Sequence, residues 1–87
     1  MTITRKGSVL LLEGSLSIED SWELKQALIE LKAETGPSID LRDLEGIDLS
    51  IVQLLLCFIR EVADVSLDPP VQEELRSILG AMGVLKC

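Results

Sequence analysis

The chain has 87 residues, 47% hydrophobic and 2% aromatic, which predicts one domain over residues 1–87 with an aliphatic core of Leu, Ile, Val and Ala. Eight Lys and Arg against 15 Asp and Glu leave a net charge of -7, which argues against nucleic acid and anionic membrane surfaces as partners, because basic side chains hold both. There is no histidine and the two cysteines, Cys57 and Cys87, are isolated, which excludes a Cys/His metal site, a His-based triad and a disulfide framework, and predicts free thiols in a reducing cytoplasm.

The N-terminal Met-Thr-Ile-Thr-Arg-Lys has no apolar stretch behind its charges, so no signal peptide is expected. Thr2 to Lys6 reads as a short first strand. Ser8 to Glu13, with the apolar run Val9-Leu10-Leu11-Leu12, reads as a second, covered on at least one face. Ser17 to Glu34 reads as a helix. Ser17 followed by Asp20 fits an extended capping box, Leu24, Ala27, Leu28 and Leu31 share one stripe, and Gly36-Pro37 supplies the stop.

Ser38 to Arg42 reads as a strand, with Ile39 and Leu41 on one face and Asp40 and Arg42 on the other. Leu49 to Val62 reads as a second helix buried on most sides. Its apolar run Leu54 to Ile59 is far shorter than the roughly 18 residues that suggest a membrane span, so no membrane insertion is expected. Ala63 to Leu67 reads as a short strand. Pro70 suits the first turn of a third helix reaching about Met82, with Val71, Leu75, Ile78 and Leu79 as its apolar face. Strands alternating with helices imply parallel strands joined by helical crossovers. The expected fold is α/β, with about four mostly parallel strands and three helices.

The stretch from Ile39 to Ser50 is the most informative. It runs from a strand through a turn into an apolar helix, where backbone N–H groups lack partners. The helix dipole favours Asp48 there, and a phosphate on Ser50 would be tolerated. Plain capping is the stronger reading of the same residues, with Asp48 or Ser50 as the N-cap, or Ser50 and Gln53 as a capping box. Ser50, Gln53, Cys57, Arg60 and Glu61 form the polar strip of the second helix. Leu49 and Leu56 flank it, either as part of a mixed docking patch or packed under a loop. Trp22, with Ile18 and Ile29, forms a second apolar stripe on the first helix, away from the Leu24 stripe. It faces a partner or a second copy, or else it packs on the second helix.

Asp40, Arg42, Asp43 and Glu45 read as a solvated charge cluster. No nucleophile or cofactor loop accompanies them, and the glycines form no dinucleotide or phosphate-loop pattern. No catalytic, cofactor-binding or metal-binding residue is expected, and the chain does not read as an enzyme.

Four segments carry a family resemblance. They are Val9-Leu10-Leu11-Leu12-Glu13-Gly14-Ser15-Leu16-Ser17, Asp20 through Leu31, Ile39-Asp40-Leu41 through Ile47-Asp48-Leu49-Ser50 with Gln53-Leu54-Leu55, and Asp68-Pro69-Pro70 through Met82-Gly83-Val84. In this order they resemble the STAS domain family (sulfate transporter and anti-sigma factor antagonist) over nearly the whole chain. The resemblance implies a small αβ sandwich used as a bacterial, cytoplasmic protein-binding module. In the antagonist branch, a Ser or Thr directly after the acid is phosphorylated by a partner kinase, and this switches binding to an anti-sigma factor. Here Leu49 stands at that position, Ser50 lies one place later, Ile51 stands where the motif usually has Gly, and Ser15 and Ser17 replace acids common near the first turn.

The expected function is therefore a constitutive or differently controlled regulatory module. It would bind an anti-sigma or kinase-like partner through Trp22, Asp48, Leu49, Ser50, Gln53 and Leu56, with Ser50 as the candidate phosphoacceptor. An accessory subunit of a phospholipid-type membrane transport ATPase is the alternative. A homodimeric scaffold built on the Trp22 stripe is the third.

Overall fold

In the computed structural model of the chain, residues 3–62 and 64–83 are described. Strand β1 (Ile3–Lys6) pairs antiparallel with β2 (Val9–Leu12). β2 pairs parallel with β4 (Ser38–Asp40), and β4 pairs parallel with β6 (Ser66–Asp68), giving the four-stranded order β1-β2-β4-β6. Helix α1 (Ser21–Lys32) links β2 to β4, α2 (Leu49–Glu61) links β4 to β6, and α3 (Glu73–Ala81) follows β6. The fold is α/β, with three helices and a mostly parallel main sheet, as the alternating pattern predicts.

The core is aliphatic apart from Phe58. One face of the sheet contributes Leu10, Leu12, Ile39 and Leu41. Against them stand Leu24, Leu28 and Leu31 of α1, and Ile51, Val52, Leu55, Phe58 and Ile59 of α2. Each fully buried aliphatic side chain stabilises the fold by about 1.5–3 kcal/mol relative to exposure. α1 ends at Lys32, two residues before the expected Glu34, with Ala33 as its C-cap, and Gly36, at a left-handed φ of 59° that costs a residue with a Cβ, turns the chain beyond it toward β4.

The structure differs from the sequence reading in several places. A second, two-stranded parallel sheet pairs β3 (Gly14–Leu16) with β5 (Leu44–Ile47), in segments read as a turn and a loop. Gly14, at φ 72°, lets the chain leave β2 and enter β3 almost at once, and its N–H donates to the Asp43 carbonyl at 3.1 Å. Leu16 and Leu44 anchor the small sheet in the core. The helix expected from Ser17 opens instead as a 3₁₀ turn over Ile18–Asp20 before α1 begins.

The last strand lies three residues later than the start expected at Ala63, which is itself outside the described residues, as are Thr2, Val84 and Cys87. Its register is set by Ser66 N–H donating to the Pro37 carbonyl at 2.9 Å and Leu41 N–H donating to that of Asp68 at 2.9 Å. Pro70 is not in the first turn of α3. Val71 N–H donates to the Arg42 carbonyl at 3.2 Å, which holds the Pro-Pro-Val segment outside the helix. Leu75 and Leu79 are buried as expected, but Val71 is 71% and Ile78 44% exposed, so the apolar face of α3 is narrower than the sequence implies.

Candidate functional site

The site is built where the small sheet ends. In β3–β5 the register pairs Leu16 with Ile47, and Asp48 N–H donates to the Leu16 carbonyl at 3.0 Å. Two parallel strands so tied feed two helical segments from neighbouring positions. Ser17 opens the 3₁₀ turn and α1, and Asp48 opens α2.

Each opening is capped by an acid. Asp48 is extended, at φ -86° and ψ 154°, and its Oδ1 accepts the Ser50 N–H at 3.1 Å. The Ser50 hydroxyl donates to the same oxygen at 3.4 Å. Asp20 Oδ2 accepts the Ser17 N–H at 2.9 Å, so the acid expected to complete the first capping box does so. Between the two N-cap alternatives for α2, Asp48 is the one used, and Ser50 lies inside the first turn.

The two helices then run side by side. Lys25, Leu28, Ile29 and Lys32 of α1 line one groove with Leu54, Cys57, Phe58 and Glu61 of α2, and Lys32 pairs with Glu61 across its end. Of the residues singled out by sequence, Gln53 and Leu56 share a shallow hollow with Cys57 and Arg60. Leu49 is 55% exposed at the first position of α2. Trp22 is 70% and Ile18 64% exposed, so these two do not pack on α2, whereas Ile29, at the far end of the stripe, is 55% exposed and borders the groove against α2. Ile18 directly follows Ser17 as Leu49 follows Asp48, so the first residue of each helical segment projects an uncovered aliphatic side chain at the same end of the fold. Cys57 is a free, exposed thiol.

Asp40 does not belong to a solvated cluster. It is 8% exposed and is held by a fork from its neighbour: Arg42 Nε donates to Oδ1 at 3.1 Å and Nη2 to Oδ2 at 2.8 Å, with the Arg42 N–H on Oδ1 at 3.0 Å. The hydrogen bonds from the guanidinium hold the Asp40 carboxyl below the usual carboxylate range, against a smaller opposing effect of burial. Arg42, Asp43 and Glu45 remain exposed and, with exposed Val71, border a second hollow beside Gln72. Val71 and Ile78 are the residues of α3's expected apolar face that lie exposed, and for Val71 the reason is tertiary, the bond from its N–H to the Arg42 carbonyl.

No protein-family model matches the chain, and no curated protein matches it. Among the described residues, no helix is long and apolar enough to cross a membrane.

Proposed function

We propose that this chain is a non-catalytic, cytoplasmic protein-binding module of the STAS type, allied to bacterial anti-sigma factor antagonists, whose partner docks on the two adjacent helix starts. The observation that carries this reading is Leu49, exposed directly after the capping Asp48, whose N–H bond to the Leu16 carbonyl places it beside the start of the segment that carries exposed Ile18 and, a turn later, Trp22. A tryptophan and two aliphatic side chains without cover are the residue types that gain most from burial against a partner. The half-buried Ser50 and Leu56 and the exposed Gln53 supply a mixed polar margin.

The position that carries phosphate in the antagonist branch holds Leu49 and cannot be modified. Ser50 is the phosphoacceptor candidate. Its hydroxyl already bonds the Asp48 carboxylate, so a phosphate there would gain from the helix N-terminus and lose to the adjacent acid. Binding is therefore governed by the apolar contact more than by a phosphate switch. The same leucine supports a second reading, a lasting subunit of a membrane transport ATPase, because a permanent complex needs no switch.

The test is capture of the wild-type chain from its native host, with Leu49→Ala and Trp22→Ala in parallel, and identification of co-captured proteins by mass spectrometry. An anti-sigma or kinase-like partner lost in both variants supports the regulatory reading. A transport ATPase lost in both supports the second. A partner retained equally by both variants rules out this surface.

A further inference from the structure

The apolar face at the helix starts sits in a charged frame drawn from all three segments that follow the parallel strands. These segments are tied together: Gly14 to Asp43, Asp48 to Leu16, Leu41 to Asp68 and Val71 to Arg42 by backbone hydrogen bonds. They therefore form one end of the molecule. The first carries Glu19, Asp20 and Glu23 around Ile18 and Trp22. The second carries Asp43, Glu45 and Asp48 ahead of Leu49, and the third adds Asp68, Glu73 and Glu74 around Val71. The only base within residues 13–23, 41–50 and 68–74 is Arg42, whose guanidinium is held by Asp40, and the nearest base to Trp22 along α1 is the exposed Lys25, one turn further on. The same end exposes Ile18, Trp22, Leu49 and Val71.

We infer that the occupant of the Ile18–Trp22–Leu49 face is a partner protein surface that presents Lys or Arg side chains around apolar ones. This rests on the docking function proposed above and adds the chemistry of the partner. Apolar anchors inside a rim of one sign are the complement of a surface with apolar side chains inside a rim of the other, and the rim steers the encounter. A second copy meeting this face symmetrically would set acid against acid. A bound cation does not account for the acids, because among the described residues no three or more stand together as metal ligands.

Trp22 is the only tryptophan and the chain has no tyrosine, so its emission reports this face directly. The probe is a synthetic amphipathic helix with Leu on one face and Lys on the other, compared with its Leu/Glu counterpart. The Leu/Lys peptide is expected to shift Trp22 emission to the blue, with affinity falling about tenfold on raising salt from low to several-fold physiological strength, while the Leu/Glu peptide leaves it unchanged. The triple variant E19Q/E23Q/E45Q is expected to weaken the Leu/Lys peptide about tenfold, and E30Q/E34Q/D64N, which neutralises as many acids elsewhere, to leave it unchanged.

Equal weakening by both triple variants, binding of the Leu/Glu peptide, no shift with either peptide, or a blue shift that tracks dimer formation in sedimentation equilibrium would each overturn the inference. Should the host partner require Leu49 and Trp22 but be indifferent to E19Q/E23Q/E45Q, the partner chemistry falls and the docking function stands. Should it require neither residue, the docking surface falls.

Discussion

The Asp48 amide donates to the Leu16 carbonyl at 3.0 Å, and this bond sets the starts of α1 and α2 side by side. It extends the short β3–β5 ladder by one rung, into the residue that caps α2. Everything exposed at the candidate site depends on that ladder, and the ladder depends on the burial of Leu44 and Leu16. Replacing Leu44 with Ala is expected to destabilise the chain by about 2–4 kcal/mol, from lost transfer energy and the cavity left behind. Urea denaturation of the two proteins measures it.

The cap itself carries a smaller load. Asp48→Ala removes the acceptor for the Ser50 N–H and is expected to cost about 1 kcal/mol, whereas Asp48→Ser, which keeps a side-chain oxygen, costs only a few tenths. Thermal melts of the two variants separate capping from any role of the charge in binding.

Leu49→Ala and Trp22→Ala are expected to leave stability within about 0.5 kcal/mol, because both side chains are exposed. In the partner complex each is expected to cost about 2 kcal/mol or more. Titration calorimetry with the captured partner, beside denaturation of the free variants, checks the split. Loss of stability without loss of affinity would mean that the residues serve the fold.

Leu79→Ala and Val71→Ser test the corrected face of α3. The first truncates a fully buried side chain and is expected to cost about 2–5 kcal/mol. The second alters an exposed one and is expected to stay within about 0.5 kcal/mol. If α3 began at Pro70 and buried Val71, both would be costly.

The Asp40–Arg42 fork predicts a pH dependence of definite sign. The Asp40 carboxyl titrates below its ordinary value in the folded chain, so the unfolded chain binds that proton more readily. The stabilisation is present above the unfolded value, near about 4, and is lost as the pH falls through the lower folded value. Asp40→Asn is expected to be the less stable protein at neutral pH and to converge with wild type in acid. Urea midpoints measured from neutral pH into the acid limb test it, and parallel curves would remove Asp40 from the acid response.

The alternation of Ile39 and Leu41 with polar neighbours, the Leu24–Leu28–Leu31 stripe and the apolar run of α2 determined the strands, the helices and their α/β order. Periodicity reports which face of an element is apolar, and in a chain with few aromatics those faces become the core. The Ser17–Asp20 box was legible as a local pattern, whereas α1 stops at Lys32 with Ala33 as its cap, ahead of the Gly36 that sequence took as the stop. The β3–β5 sheet was not legible, because strands of three and four residues carry too little alternation, and their pairing joins residues about 30 apart. Sequence also left open whether Trp22 packs on α2 and whether Leu49 is covered, and it read Asp40 as solvated, which the structure overturns. Tertiary structure decided these three, because exposure depends on what stands opposite a side chain. α2 presents Leu54 and Phe58 toward Leu28 and Ile29, which leaves Trp22 outside, and Arg42 folds back on Asp40 at the strand end.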